Sequence, residues 1–146
     1  MPKTEQGGPG RGGSGAGAAP FFVDIEVRAQ PNDGAVRQLR ALVDPGSRFT
    51  WLPGSMLEDL GIIRRQPITF VTPDGGQISR VAGYAFITSA GAQTMATIVF
   101  GEPGDPAILG AHTIAGLNVD PDPPGKRLVP GKPLRAPSTL KRPDTA

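Results

Sequence analysis

The stretch ALVDPGSRFTWLP, residues 41–53, runs an apolar segment into one carboxylate, Asp44, and turns at once through Pro45 and Gly46. A carboxylate held still at the end of a β-like segment is placed for proton transfer, the general acid–base chemistry that such a group performs. Other chemistries drop out by composition. The 146 residues contain no cysteine and one histidine, His112. That excludes a disulfide framework, thiolate zinc sites and a cysteine nucleophile, and a multi-histidine metal site cannot be built within one chain. A Ser-His-Asp triad has only His112 to turn to.

The elements that must position Asp44 fit one domain, since 38% hydrophobic content supplies a modest core even though only 5% is aromatic. No apolar run approaches the roughly 20 residues that span a bilayer, and the first residues lack the apolar stretch of a secretory signal. A soluble, cytoplasmic protein with no membrane partner is expected. The net charge of +2 is unevenly spread: residues 1–20 hold +1, residues 131–146 hold +3, and the intervening residues 21–130 hold −2. The basic residues thus sit in the tails, and the folded part lacks the Lys/Arg face with stacking aromatics that nucleic acid requires. No nucleic-acid contact through the folded core is expected, and association through the basic tail is the weaker alternative.

Residues 1–20, MPKTEQGGPGRGGSGAGAAP, bury almost nothing and read as a disordered Gly-rich lead. The Pro- and Lys/Arg-rich residues 131–146 read as a disordered tail. Between them lies a domain of residues 21–130 made of strands. FFVDIEVRAQ alternates Val23, Ile25 and Val27 with Asp24, Glu26 and Arg28, and the turn PNDG returns it into VRQLRALVD as a hairpin. FTWLP predicts a short buried strand. SMLEDLG predicts a short helix with Ser55 as N-cap, Glu58 completing a capping box, and Gly61 at the stop. ITFV and QISRVAGYAFITS form a long hairpin around a polar tip at TPDGG; TMATIVF and AILG add strands, AHTIAGL a helical turn, and NVDP with KRLVP a closing hairpin across DPPG. Many short strands with little helix give an all-β fold of barrel or sandwich type.

Three features stand in order: apolar-apolar-Asp-x-Gly at LVDPG, a Gly-tipped hairpin in the middle, and apolar-apolar-Gly at ILG before a helical turn. Over residues 21–130 this arrangement resembles the retropepsin-like aspartic proteases, the half-size relatives of pepsin, and small bacterial members above all. The resemblance implies a half-barrel with one short helix and a flap hairpin. It places Asp44 as the catalytic aspartate, Gly46 and Ser47 beside it, and Thr72, Pro73, Asp74, Gly75 and Gly76 at the flap tip, all against substrate. Pro45, Ile108, Leu109 and Gly110 become the structural support of the site.

The resemblance further implies endopeptidase hydrolysis of a polypeptide substrate without metal or cofactor. Two carboxyls about 3 Å apart cannot both ionise, so they share one proton, and one activates water while the other protonates the carbonyl oxygen. With a single D-x-G, the second carboxyl comes from a second copy, which makes a homodimer part of the mechanism. The sequence departs from the family at Pro45, where a Thr or Ser hydroxyl usually links the two loops across the axis, and proline has neither hydroxyl nor N–H. Arg48 and Phe49 stand where retroviral relatives carry acids, and Ala111 replaces an Arg. A catalytically silent dimerisation or peptide-binding module therefore stays open beside the protease. Ser47 is expected to hydrogen-bond the Asp44 carboxylate, and Asp74 to favour basic or polar substrates. Trp51 reads as a core or dimer-interface residue, His112 as a surface or packing residue, Asp24 as part of a polar strand face, and Asp120 as a local cap in a turn.

Overall fold

The computed structural model describes residues 20–142. The Gly-rich lead through residue 19 and the last four residues of the basic tail lie outside the described residues. Residues 131–142 form neither helix nor strand.

Nine strands and two short helices follow one another: β1 (Phe22–Arg28), β2 (Val36–Val43), β3 (Thr50–Pro53), α1 (Gly54–Asp59), β4 (Gln66–Val71), β5 (Gln77–Ser89), β6 (Ala92–Gly101), β7 (Ile108–Leu109), α2 (Ala111–Leu117), β8 (Val119–Asp122) and β9 (Arg127–Pro130). The protein is all-β around a single core. Seven strands form one sheet in the order β1-β2-β7-β3-β6-β5-β4, and a further β1–β5 pairing closes six of them into a ring with β4 outside it. The period-two pattern fixes which side chains enter the ring: Ile25 and Val27 of β1, Ala41 and Val43 of β2 and Ile98 and Phe100 of β6 are buried. They join Leu52, Leu57, Ile87 and Leu109 in one hydrophobic cluster.

β5 is long enough to do two jobs. Its second half pairs with β1 and β6 inside the ring, while Gln77–Ala82 pairs with β4 and carries the hairpin away from it. At Gly83 a Cβ would lie 2.4 Å from the Ile63 carbonyl, so only glycine lets the chain after α1 pass this closely over β5.

Two local expectations change. Ser55 does not cap α1: β3 stays in register with β6 through Pro53↔Gly101, so the helix begins at Gly54 and Ser55 already lies inside it. Glu58 bonds the Arg64 guanidinium at 2.9 Å instead of reaching back to the helix start, while Gly61, at φ +81°, does end the helix. Asp120 sits in β8 and not in a turn, accepting the Lys132 amide at 3.2 Å. The helical turn expected at AHTIAGL is the seven-residue helix α2, ended by Asn118 in left-handed geometry.

Candidate active site

β2 delivers Asp44. Its last two residues, Leu42 and Val43, pair in parallel with Ile108 and Leu109 of β7, and this ladder continues one step further as the Asp44 amide donates to the Leu109 carbonyl at 3.0 Å. The chain then reverses. The Ser47 amide donates to the Asp44 carbonyl at 3.0 Å, which makes Asp44 to Ser47 a four-residue turn with Pro45 in the second position. Proline's fixed φ suits that position, and its missing N–H is not needed there. The Asp44 carboxylate, half-buried, accepts the Gly46 amide at 3.0 Å.

β7 and α2 hold the loop from behind. The first two amides of α2, which have no partner within the helix, donate outward: Ala111 to the Ser47 carbonyl at 2.7 Å and His112 to the Arg48 carbonyl at 3.0 Å. The Gly110 amide donates to the Thr50 hydroxyl at 3.0 Å, and Thr50 shares a 2.6 Å hydrogen bond with Thr113. Both threonines are buried, so these hydroxyls satisfy each other away from water. Gly110 has no spare room, since a Cβ there would lie 2.3 Å from the Phe49 carbonyl oxygen. Ile108, Leu109 and Gly110 thus lie directly behind the Asp44 loop.

The β4–β5 hairpin faces the same loop across a groove of about 510 Å³, lined by residues 46–49 and Trp51 on one side and by residues 68–73 and Ile78 on the other. Of the sequence-assigned substrate contacts, Gly46, Ser47, Thr72 and Pro73 line this groove, whereas Asp74, Gly75 and Gly76 make the turn at the hairpin tip. Asp74 is turned inward: its carboxylate accepts the Thr72 hydroxyl and the Gly76 amide, the second at 3.0 Å, and the Thr72 bond in particular holds its pKa below the usual carboxylate range. Gly75 adopts φ +89°, the left-handed geometry the tip requires. The carboxylate expected to meet basic substrates is thus taken up by its own turn.

Ser47 and Trp51 are placed differently from expectation, and His112 as expected. The Ser47 hydroxyl donates to the Phe49 carbonyl at 2.8 Å and not to Asp44, because the turn points the Asp44 carboxylate at the Gly46 amide. Trp51 lies on the groove wall, tilted against Phe70 with ring centroids 4.8 Å apart. His112 is exposed and meets Phe49 edge-on at 5.4 Å.

Behind Trp51 is an ion pair that no local pattern announces. Arg80 of β5 donates through Nε and Nη2 to Asp105 at 2.7 and 3.1 Å, and Asp105 also accepts the Glu102 amide at 2.7 Å. The Arg80 bond is the chief reason that Asp105 stays below, and Arg80 above, its ordinary pKa. Asp24 and Asp120 are engaged elsewhere, by Arg40 at 3.4 Å and by the Lys132 amide. Among the described residues no three of His, Asp or Glu gather as metal ligands would.

No family model matches the chain, and no curated protein matches it. Among solved structures, the solution structure of the simian foamy virus (mac) protease is similar, with 21% identity and a TM-score of 0.48 over 68% of this chain and 98% of that chain.

Proposed function

We propose that the protein is an aspartic endopeptidase whose Asp44 pairs with Asp44 of a second copy across a two-fold axis. The observation that carries this reading is the placement of Asp44 at a turn clamped from behind by β7 and α2, beside a groove roofed by a two-stranded hairpin. The clamp limits how far the carboxylate can wander. A site held to a fraction of an ångström is what proton transfer to and from water requires. Within one chain Asp44 has no carboxylate neighbour among the described ion pairs and hydrogen bonds, so a second copy is the natural source of the other acid. Two such groups share one proton, and water between them attacks the peptide carbonyl while the protonated acid donates to its oxygen. The hairpin closes over an extended substrate, excludes water and offers backbone hydrogen bonds.

Pro45 favours a second reading. It is exposed at the turn and has no hydroxyl to bond across an axis, which suits a silent peptide-binding or dimerisation module. One assay separates the two. Wild type and Asp44→Asn are incubated with an unstructured protein from acid to neutral pH, and their masses in solution are measured alongside. Cleavage by the wild type, reduced at least about 100-fold in Asp44→Asn, supports the protease. Equal cleavage by both proteins, or a strict monomer at high concentration, overturns it. A dimer that cleaves nothing favours the module.

A further inference from the structure

The groove beside Asp44 is strongly apolar, built on Phe49, Trp51, Ile68, Phe70 and Ile78, and Arg48 is the one charged residue among the described residues that line it. Arg48 is exposed, and its side chain takes part in none of the ion pairs among the described residues. The carboxylates nearest in sequence and across the groove have other partners: Asp44 accepts Gly46, and Asp74 is folded into the hairpin tip. A guanidinium that forms no ion pair among the described residues, set at an apolar trough, matches a carboxylate brought in by the occupant.

We propose that Arg48 is a specificity-determining residue that reads an acidic side chain of the bound polypeptide, while the Trp51–Phe70 pair seats a bulky apolar side chain close to it. The proposal rests on the groove being the seat of the polypeptide, as the protease reading has it, and names the substrate class: extended segments with an aromatic or branched apolar residue and Asp or Glu within two positions. The spacing follows from strand geometry. Arg48 and Trp51 are three residues apart, at most about 10 Å along the chain. Side chains on one face of an extended peptide recur about every 7 Å. Arginine's reach covers the remainder, and its forked donors suit a carboxylate.

The test measures binding first and cleavage second, so that the two proposals fail separately. The probes are acetylated, amidated peptides of common sequence with Phe at one position and Glu, Gln or Lys two positions away, titrated by fluorescence anisotropy into Asp44→Asn protein and into the Asp44→Asn/Arg48→Glu double variant. The single variant is expected to bind the Glu peptide about tenfold tighter than the Lys peptide, and the double variant to lose or invert that order. Wild-type digestion of an unstructured protein, with cut sites read by mass spectrometry, should then show Asp and Glu enriched beside apolar residues. Equal binding of the three peptides, unchanged order in the double variant, or no binding to any of them overturns the proposal. A free-acid version of the Gln peptide provides a further arm. If discrimination appears only there, the carboxylate belongs to a chain end and the acidic-side-chain assignment falls. If binding discriminates as expected while the wild type cuts nothing, the protease reading falls and the assignment of Arg48 stands.

Discussion

Replacing Gly110 by alanine tests whether the segment behind Asp44 is a rigid backing. Gly110 has φ −95° and ψ 176°, extended geometry that alanine adopts freely, so backbone strain contributes nothing. Contact decides the outcome. The added Cβ would lie 2.3 Å from the Phe49 carbonyl oxygen, 2.5 Å from its carbon and 2.8 Å from the Ser47 oxygen. Carbon and oxygen approach ordinarily to about 3.3 Å, so these peptides must retreat by about 1 Å. Overpacking of this kind costs about 1–3 kcal/mol. The same peptides accept from Ala111 and from the Ser47 hydroxyl, and loosening one such bond adds about 1 kcal/mol. Reduced freedom of the unfolded chain offsets about 0.4–1 kcal/mol. The net loss is about 1–3.5 kcal/mol, which for a domain of this size lowers Tm by about 4–14 °C. Thermal unfolding followed by circular dichroism measures it, and peptide cleavage below the transition should fall further because the Asp44 turn moves with its backing. A Gly110→Ala protein with wild-type Tm would show that the loop yields without cost and refute the rigid-backing argument.

Further tests address the other contacts. Asp105→Asn removes the charge from a bidentate pair with Arg80 and should destabilise the protein by about 2 kcal/mol at neutral pH, read by chemical denaturation. Because Asp105 is held below its ordinary pKa, its contribution is present above about pH 4 and is lost as pH falls below that through the lowered folded value. The wild type should therefore approach the stability of Asp105→Asn at strongly acid pH, and a constant gap between them would contradict this. Thr113→Val takes the partner from the buried Thr50 hydroxyl and should cost about 1–2 kcal/mol, with a further loss when Thr50→Val is added, because the Gly110 amide then also loses its acceptor. Trp51→Ala should weaken peptide binding by about tenfold while leaving Tm nearer the wild type than Gly110→Ala does, since Trp51 is only partly buried; a Tm loss equal to that of Gly110→Ala would mark it as core.

What the sequence disclosed and what it hid divide along range. The alternation of Val23, Ile25 and Val27, the turn at Gly34 and the Pro-Asp-Gly tip are signals within a few residues, and each became the element it announced. The Asp44 loop was legible for the same reason, with its backing at ILG found through resemblance. Thr50 and Thr113 lie 63 residues apart, and Arg80 and Asp105 25 apart. Nothing local marks them as partners. The helix start slipped because strand register at Pro53 overrode the cap preference of Ser55. Trp51 had a usable signal: it alternates with Thr50 and Leu52, both buried, which puts Phe49 and Trp51 on the opposite face. That face is the groove wall.

β4 pairs with β5 on one side and leaves its other side open, the one strand of the seven in that position. Its sequence, QPITFV, carries no charge, and Val71 is 71% exposed. An uncharged, β-prone hexapeptide with a free row of amides is a template for edge-to-edge growth between molecules. Pro67 interrupts that row, and Arg64 and Arg65 stand immediately before it as repelling gatekeepers. The strand that walls the groove is thus also the one that guards against fibrils, and substitution of Pro67 should expose that hazard before it alters anything at Asp44.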